Sequence, residues 1–242
     1  MLEVGNRIVM VSGASRGIGR AVVDRLLASG FRVSAGLRDP SRLAESERLM
    51  TYRYDAEDAR SPISWVNATV ARWGGIDAIV NAAGINPKVR VSDEGENELD
   101  EMWRVNVKGP LRLVRATLPH LAVCGHGRVI NLGSLAGKRV GSNVGYAMTK
   151  FAVVALTHGI RREGRAAGIR ATVICPGLCC HRHDAERRRD SPPRDEPAGR
   201  HRPPGGNRTH AAEQRVGLRD ARALPVRTDA LKPGRDDDIR SG

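Results

Sequence analysis

Aromatic residues make up only 3% of this 242-residue chain, and none lies beyond Phe151. Acidic residues are also in short supply: 27 Asp and Glu face 40 Lys and Arg, giving a formal net charge of +13. No apolar run approaches the length of a membrane span, and no basic segment followed by an apolar one opens the chain. The expected class is therefore a soluble, cytoplasmic protein with no membrane partner. Cysteine is sparse as well, and Cys124, Cys175, Cys179 and Cys180 are read as free thiols rather than as a disulfide framework.

These shortages are unevenly spread. Residues 179–242 hold 15 basic and 11 acidic residues, seven of the thirteen prolines, and six large aliphatics: Val216, Leu218, Leu224, Val226, Leu231 and Ile239. So little apolar surface cannot offset the entropy of ordering 64 residues, so that segment is expected to be a disordered appendage. Residues 1–178 read differently. Short apolar runs, Arg7 to Val11, Phe31 to Gly36, Tyr52 to Asp55, Ala78 to Val80, Gly127 to Leu132 and Arg170 to Ile174, predict six strands. Helical patterns fall between them at Arg20 to Ser29, Glu98 to Ala122 (with a kink or early interruption expected at Pro110) and Val144 to Ala167. Alternation of this kind predicts an α/β fold, a doubly wound parallel sheet of the Rossmann type. The expected division is a dinucleotide-binding domain over 1–178 and a tail over 179–242.

The glycines Gly13-x-x-x-Gly17-x-Gly19 stand between the first strand and the first helix. There a Cβ would keep a pyrophosphate from the backbone N–H groups and the helix N-terminus. Ser15, Arg16 and Ile18 lie within the same turn. Tyr146 and Lys150 are four apart in a predicted helix and so share a face. A neighbouring ammonium favours phenolate over phenol, which makes a tyrosine a usable proton donor and acceptor. Taken singly, each feature has an ordinary explanation: a glycine turn without ligand, a surface pair, an N-cap serine, a solvated asparagine. Their joint order is what carries weight.

That ordered set resembles the short-chain dehydrogenase/reductase family over residues 7–178. Asn81-Ala82-Ala83-Gly84 is similar to the family's Asn-Asn-Ala-Gly segment, with Ala82 in place of the second Asn. Asn106, Ser134, Tyr146 with Lys150, and Pro176-Gly177 follow in the family's order. The resemblance implies an NAD(P)-dependent oxidoreductase acting on a small carbonyl or alcohol substrate. In it Tyr146 exchanges the proton and Ser134 orients the oxygen, while Lys150 tunes Tyr146 and holds the ribose, and Asn106 holds a water joined to Lys150. Gly13 to Gly19, Asn81, Ala82, Gly84, Pro176 and Gly177 would line the cofactor, and Asp55 would meet the adenine. Arg16 and Arg38, with Leu37 where an NAD-preferring relative carries an acid, favour NADP(H) over NAD(H). Homo-oligomers are typical of the family. The opposing reading is a catalytically impaired NADP-binding protein whose tail serves interaction.

The tail departs from the family pattern. Cys179-Cys-His-Arg-His183 is poorly spaced for one tetrahedral zinc and has no partner cluster, so no metal is assigned. Arg187-Arg-Arg189 is diluted by acids and has no aromatic interleaved for base stacking, so no nucleic-acid partner is expected. The codons of Cys179 to Asp184, read from one base later, permit Val-Ala-Thr-Asp-Met-Thr, the sequence expected after Pro176-Gly177-Leu178. The same shift over Asp195 to Arg202 permits Met-Ser-Gln-Pro-Asp-Asp-Ile-Ala, another family-like segment. A single-base frameshift near the codon of Leu178 accounts for both. As written, the chain has His181 where a nicotinamide-binding Thr is expected. It also has no counterpart of the last strand or the substrate-covering helices, which places one oligomer interface in doubt.

Overall fold

The computed structural model describes residues 6–177. Six strands form one parallel sheet: β1 (Ile8–Ser12), β2 (Arg32–Leu37), β3 (Leu49–Arg53), β4 (Ala78–Asn81), β5 (Arg128–Leu132) and β6 (Arg170–Ile174). Their spatial order is β3-β2-β1-β4-β5-β6, the doubly wound arrangement. The chain leaves β1 toward one side of the sheet and resumes from β4 on the other, so a crevice opens between the C-terminal ends of β1 and β4.

Strand residues alternate between two cores, as a period of two requires. Met10, Ile79 and Val129 enter one core with Trp65, Leu113 and Ile160, from α2 (Ser61–Trp73), α4 (Gly109–Val123) and α5 (Val144–Gly164). Val9, Val11, Val33 and Val80 enter the other with Val23 of α1 (Gly17–Ala28). Trp65 anchors the first core: its Nε1 donates to Ser34 Oγ at 2.8 Å, and its ring lies 4.9 Å from that of Tyr54.

Several elements differ from the sequence expectation. Helix α1 starts at Gly17 rather than Arg20, because glycines with no helical propensity of their own are recruited into its first turn. The third strand is Leu49–Arg53 rather than Tyr52 to Asp55, since buried Leu49 and Met50 belong to the sheet while Tyr54 turns onto Trp65. Helix α2 has no counterpart in the expected element list. Its boundaries were legible in Pro62 at the start and in Gly74, which closes it with a φ of 86°. The stretch from 98 to 122 is three pieces: α3 (Asn97–Met102), a π-helical segment Trp103–Lys108, and α4. The irregularity precedes Pro110, which stands in the first turn of α4. A proline offers no N–H to the carbonyl four residues earlier, here Asn106, and its ring crowds that carbonyl. The expectation of a disordered tail over 179–242 lies outside the described residues.

Candidate active site

The glycine turn is built for close approach. Gly13 and Gly17 have φ of 70° and 59°, the left-handed region that side chains disfavour. A Cβ on Gly13 would come within 2.6 Å of Ala83 N, and one on Gly19 would run into the Gly13 carbonyl. Ser12 joins the two sides of the crevice, its Oγ accepting from Ala82 N at 3.2 Å and Ala83 N at 3.3 Å. Ala82, where the family carries Asn, lies against this packed turn. Helix α1 has extended backbone at its N-cap Arg16 and no side-chain cap, so its first N–H groups face the crevice without a side-chain acceptor. Ser15 is half-buried and Arg16 and Ile18 are exposed at that mouth. Arg38 is exposed directly after β2, while Leu37 is buried in the core. Asp55 ends the β3 side, its Oδ1 accepting from Glu57 N at 3.0 Å. A cradle that a Cβ would fill, opposite an uncapped helix start, fits the diphosphate of a dinucleotide.

The candidate proton-handling groups gather beyond β4 and β5. Lys150 is 5% exposed; its Nζ donates to Leu132 O at 2.7 Å and lies 5.5 Å from the centre of the Tyr146 ring. Burial pushes its pKa down to about 8, opposed in part by the Cys175 thiol, which favours the charged form. Gly84 brings the Asn81 to Gly84 segment onto this group: a Cβ there would stand 3.3 Å from Asn106 Oδ1 and 3.9 Å from Lys150 Nζ. Asn106 is buried with its amide fully engaged. Its Oδ1 accepts from Ile85 N at 2.9 Å, and its Nδ2 donates to Ile85 O at 2.9 Å and to Thr149 Oγ1 at 3.2 Å. Its side chain therefore fixes the backbone beside Lys150.

Ser134 caps the short 3-10 turn Leu135–Gly137, its Oγ accepting from Ala136 N at 3.1 Å, which leaves the hydroxyl proton to be donated elsewhere. Its loop is tied to the next strand by Gly133 N to Ile174 O at 2.8 Å and by Leu135 N to Pro176 O at 2.9 Å. Gly177 follows, exposed. Asn81 is turned inside the sheet, donating to Asn131 Oδ1 at 2.8 Å; Asn131 in turn donates to Thr157 Oγ1 at 2.8 Å.

Two positioning residues have no place in the sequence reading. Asn143 caps α5 by accepting from Tyr146 N at 3.1 Å, and the same oxygen accepts from Val89 N at 3.1 Å. Its Nδ2 donates to Asn86 Oδ1 and Pro87 O, both at 2.8 Å. An asparagine three residues before Tyr146 signals an N-cap; its hold on the 86–89 loop has no local signature. Ser12 is the other; the strand expected from the sequence ends one residue before it, at Val11.

The family model for short chain dehydrogenases matches residues 7–192. An agropine synthesis reductase of Rhizobium rhizogenes is 40% identical over 178 residues, 71% of this chain and 41% of that protein. The chain thus spans about two fifths of that relative's length. A 2-(R)-hydroxypropyl-CoM dehydrogenase of Xanthobacter autotrophicus is 33% identical over 186 residues, covering 72% of this chain and 74% of its own. Among solved structures, a 3-ketoacyl-(acyl-carrier-protein) reductase from Brucella melitensis, complexed with NADH, superposes with a TM-score of 0.68 at 25% identity, covering 72% of this chain and 77% of that one.

Proposed function

Because the chain belongs to the short-chain dehydrogenase/reductase family, we propose that it is an oxidoreductase interconverting a small carbonyl and its alcohol with NADP(H). One observation carries this reading: the buried Lys150 ammonium, held by Leu132 O, lies beneath Tyr146 and beside Gly84 and Asn106 at the crevice. The nicotinamide, when bound, supplies or takes the hydride. In the reducing direction Tyr146 donates its phenolic proton to the substrate oxygen. Ser134, already accepting from Ala136 N, donates its hydroxyl proton to that same oxygen and orients it. Lys150 keeps positive charge near the phenol oxygen and reaches toward the ribose. Asn106 works through its backbone: its amide is engaged, and its carbonyl, denied the N–H four residues on by Pro110, is the group suited to a water that feeds Lys150.

NADP(H) is favoured over NAD(H) by Arg16 and Arg38, both exposed at the crevice mouth, and by the apolar Leu37 where a carboxylate would repel a 2′-phosphate. Asp55 is the proposed adenine neighbour, and Pro176-Gly177 the segment beside the nicotinamide. Exposed Lys88 and Arg90, on the loop that Asn143 holds, suit a substrate with an anionic group. Action in the cytoplasm is part of this proposal; no helix among the described residues is long and apolar enough to cross a membrane.

The second reading, an impaired NADP-binding protein, rests on His181 and the frame-shifted pattern after Leu178. The two part on one experiment: NADPH binding by fluorescence, with NADPH oxidation over a panel of small ketones and aldehydes. The enzyme reading expects turnover that Tyr146→Phe lowers by about 10²- to 10⁴-fold with cofactor affinity kept. Binding without turnover, unchanged by Tyr146→Phe, supports the impaired form.

A further inference from the structure

The end of the sheet remote from the catalytic crevice carries a second cluster of ligand-bearing side chains. Asp77 immediately precedes β4, whose other end is Asn81. Cys124 caps the C-terminus of α4, and His126 lies in the turn that leads into β5. Their ligand atoms all lie within 4.8 Å of one another, and His126 Nε2 is 3.1 Å from Asp77 Oδ1.

The three residues are held by backbone that has little freedom. Asp77 N donates to Ile8 O and Arg128 N donates to Asp77 O, both at 3.0 Å, so the aspartate is stitched between β1 and β5. Its Oδ2 accepts from Ile8 N at 2.8 Å, which orients the carboxylate and turns Oδ1 toward the imidazole. Gly125, with a φ of 69°, folds the chain so that Cys124 and His126 flank the same point. Gly168 packs so closely on the Gly125 carbonyl that a Cβ there would collide with it. Arg128 Nη1, donating to His126 O at 2.8 Å and Gly127 O at 3.0 Å, locks the turn from the other side. The side chains of His126 and Asp77 are 38% and 20% exposed, so an ion and a water can enter.

From this geometry we infer that Asp77, Cys124 and His126 form a binding site for a zinc-type divalent cation, with water as the fourth ligand. One oxygen, one sulfur and one imidazole nitrogen are donors that zinc accepts together in a tetrahedron, whereas magnesium and calcium demand oxygen alone. The Ile8 N–H on Asp77 Oδ2 is the outer-shell bond that such carboxylate ligands use. Binding displaces the contact of Cys124 Sγ with Leu121 O, and the thiol proton leaves to solvent. The bound ion ties the starts of β1, β4 and β5 to the end of α4. It is a clamp on the fold rather than part of the reaction. Nothing adjacent in the sequence reveals it, because Asp77 and His126 are 49 residues apart.

The test uses the full chain carrying Cys179→Ser and Cys180→Ser, so that tail thiols cannot contribute, kept reduced with a non-thiol reductant. Cobalt(II) chloride is titrated as the probe. The expected result is saturation at one ion per chain, with a thiolate-to-cobalt charge-transfer band in the near ultraviolet that zinc chloride displaces. Cys124→Ser abolishes that band. His126→Gln, on the same partly exposed turn and without effect on the Ile8 bond, weakens affinity by about 10-fold or more, since losing even an outer-shell partner costs 10- to 100-fold. Zinc raises the thermal midpoint of the parent and leaves that of Cys124→Ser unchanged. A parent protein with no charge-transfer band, or one whose band survives Cys124→Ser, overturns the inference.

Discussion

Lys150 is the residue in which burial and charge oppose each other most directly. It is 5% exposed with a pKa pushed down to about 8, while in the unfolded chain it titrates near the ordinary lysine value of 10.5. Between those values the unfolded state binds the proton and the native state does not, so the contribution of Lys150 to stability increases as pH rises from about 8 to about 10.5. Below pH 8 the buried ammonium costs on the order of 3 kcal/mol. Urea titrations of cofactor-free wild type and Lys150→Met are therefore expected to shift in favour of the wild type across that window and to run parallel below it. Arg38 invites a second test at this scale: Arg38→Asp weakens NADPH by about 10- to 100-fold, the loss expected for one charge-assisted hydrogen bond, and leaves NADH less affected. Tyr146 and Lys150 were legible in the sequence because their relation is a local helical spacing. The loop contacts of Asn143 and the hydroxyl contacts of Ser12 were not, because those partners lie 54 to 57 and 68 to 71 residues away.

Among the elements, α5 and the loop after β4 share one fastening. Asn143 is at once the cap of the helix that presents Tyr146 and the anchor of residues 86–89. Asn143→Ala removes both functions. Asn143→Ser retains a capping oxygen, worth about 1 kcal/mol, with no amide to reach the loop. Hydrogen exchange in residues 86–91 is expected to quicken in both variants, while only the alanine variant also frays the start of α5. Packing of β2 on α2 offers a sharper test: a Cβ on Gly36 would stand 2.5 Å from the Trp65 ring. Gly36→Ala should cost about 1–3 kcal/mol as overpacking, read as a lower urea midpoint. The missing α2 and the displaced third strand have physical reasons. Residues 49–51 count as strand only through their pairing with Val33 to Ala35, and the buried face of α2 includes the polar Ser61 and Thr69 while Ile63 stands on its exposed face. The π-helical segment is likewise legible only in hindsight, since Pro110 announces an irregularity without saying on which side it falls.

For the whole molecule, alternation and right-handed crossover limit the six strands to a few doubly wound orders, of which the observed one is a member, which is why the fold class was readable before any contact was known. Strand β6 is the edge of the described sheet, and Ile174 is 48% exposed there. The family match continues to residue 192, beyond the Leu178 boundary drawn from motifs alone. Sequencing the coding DNA across codons 176–184, with an intact mass of the expressed protein, tests the frameshift. Restoring the frame is expected to raise NADPH turnover over that of the chain as written, and an unbroken frame incompatible with the alternative peptides removes the explanation. Everything argued to choose the cofactor, from Gly13 to Asp55, belongs to the half before β4, and Asn106, Ser134, Tyr146 and Lys150 all belong to the half after it. The halves are joined side by side by β1 and β4, through the Ser12 hydroxyl, and by α2 packed on α4, where Trp65 and Leu113 share one core and Arg112 donates to Ala56 O and Glu57 O. Cofactor preference and chemistry can thus drift under selection as separable traits, through substitutions at the crevice on either side, so long as that serine, the small residues facing it and the packing of α2 on α4 are kept.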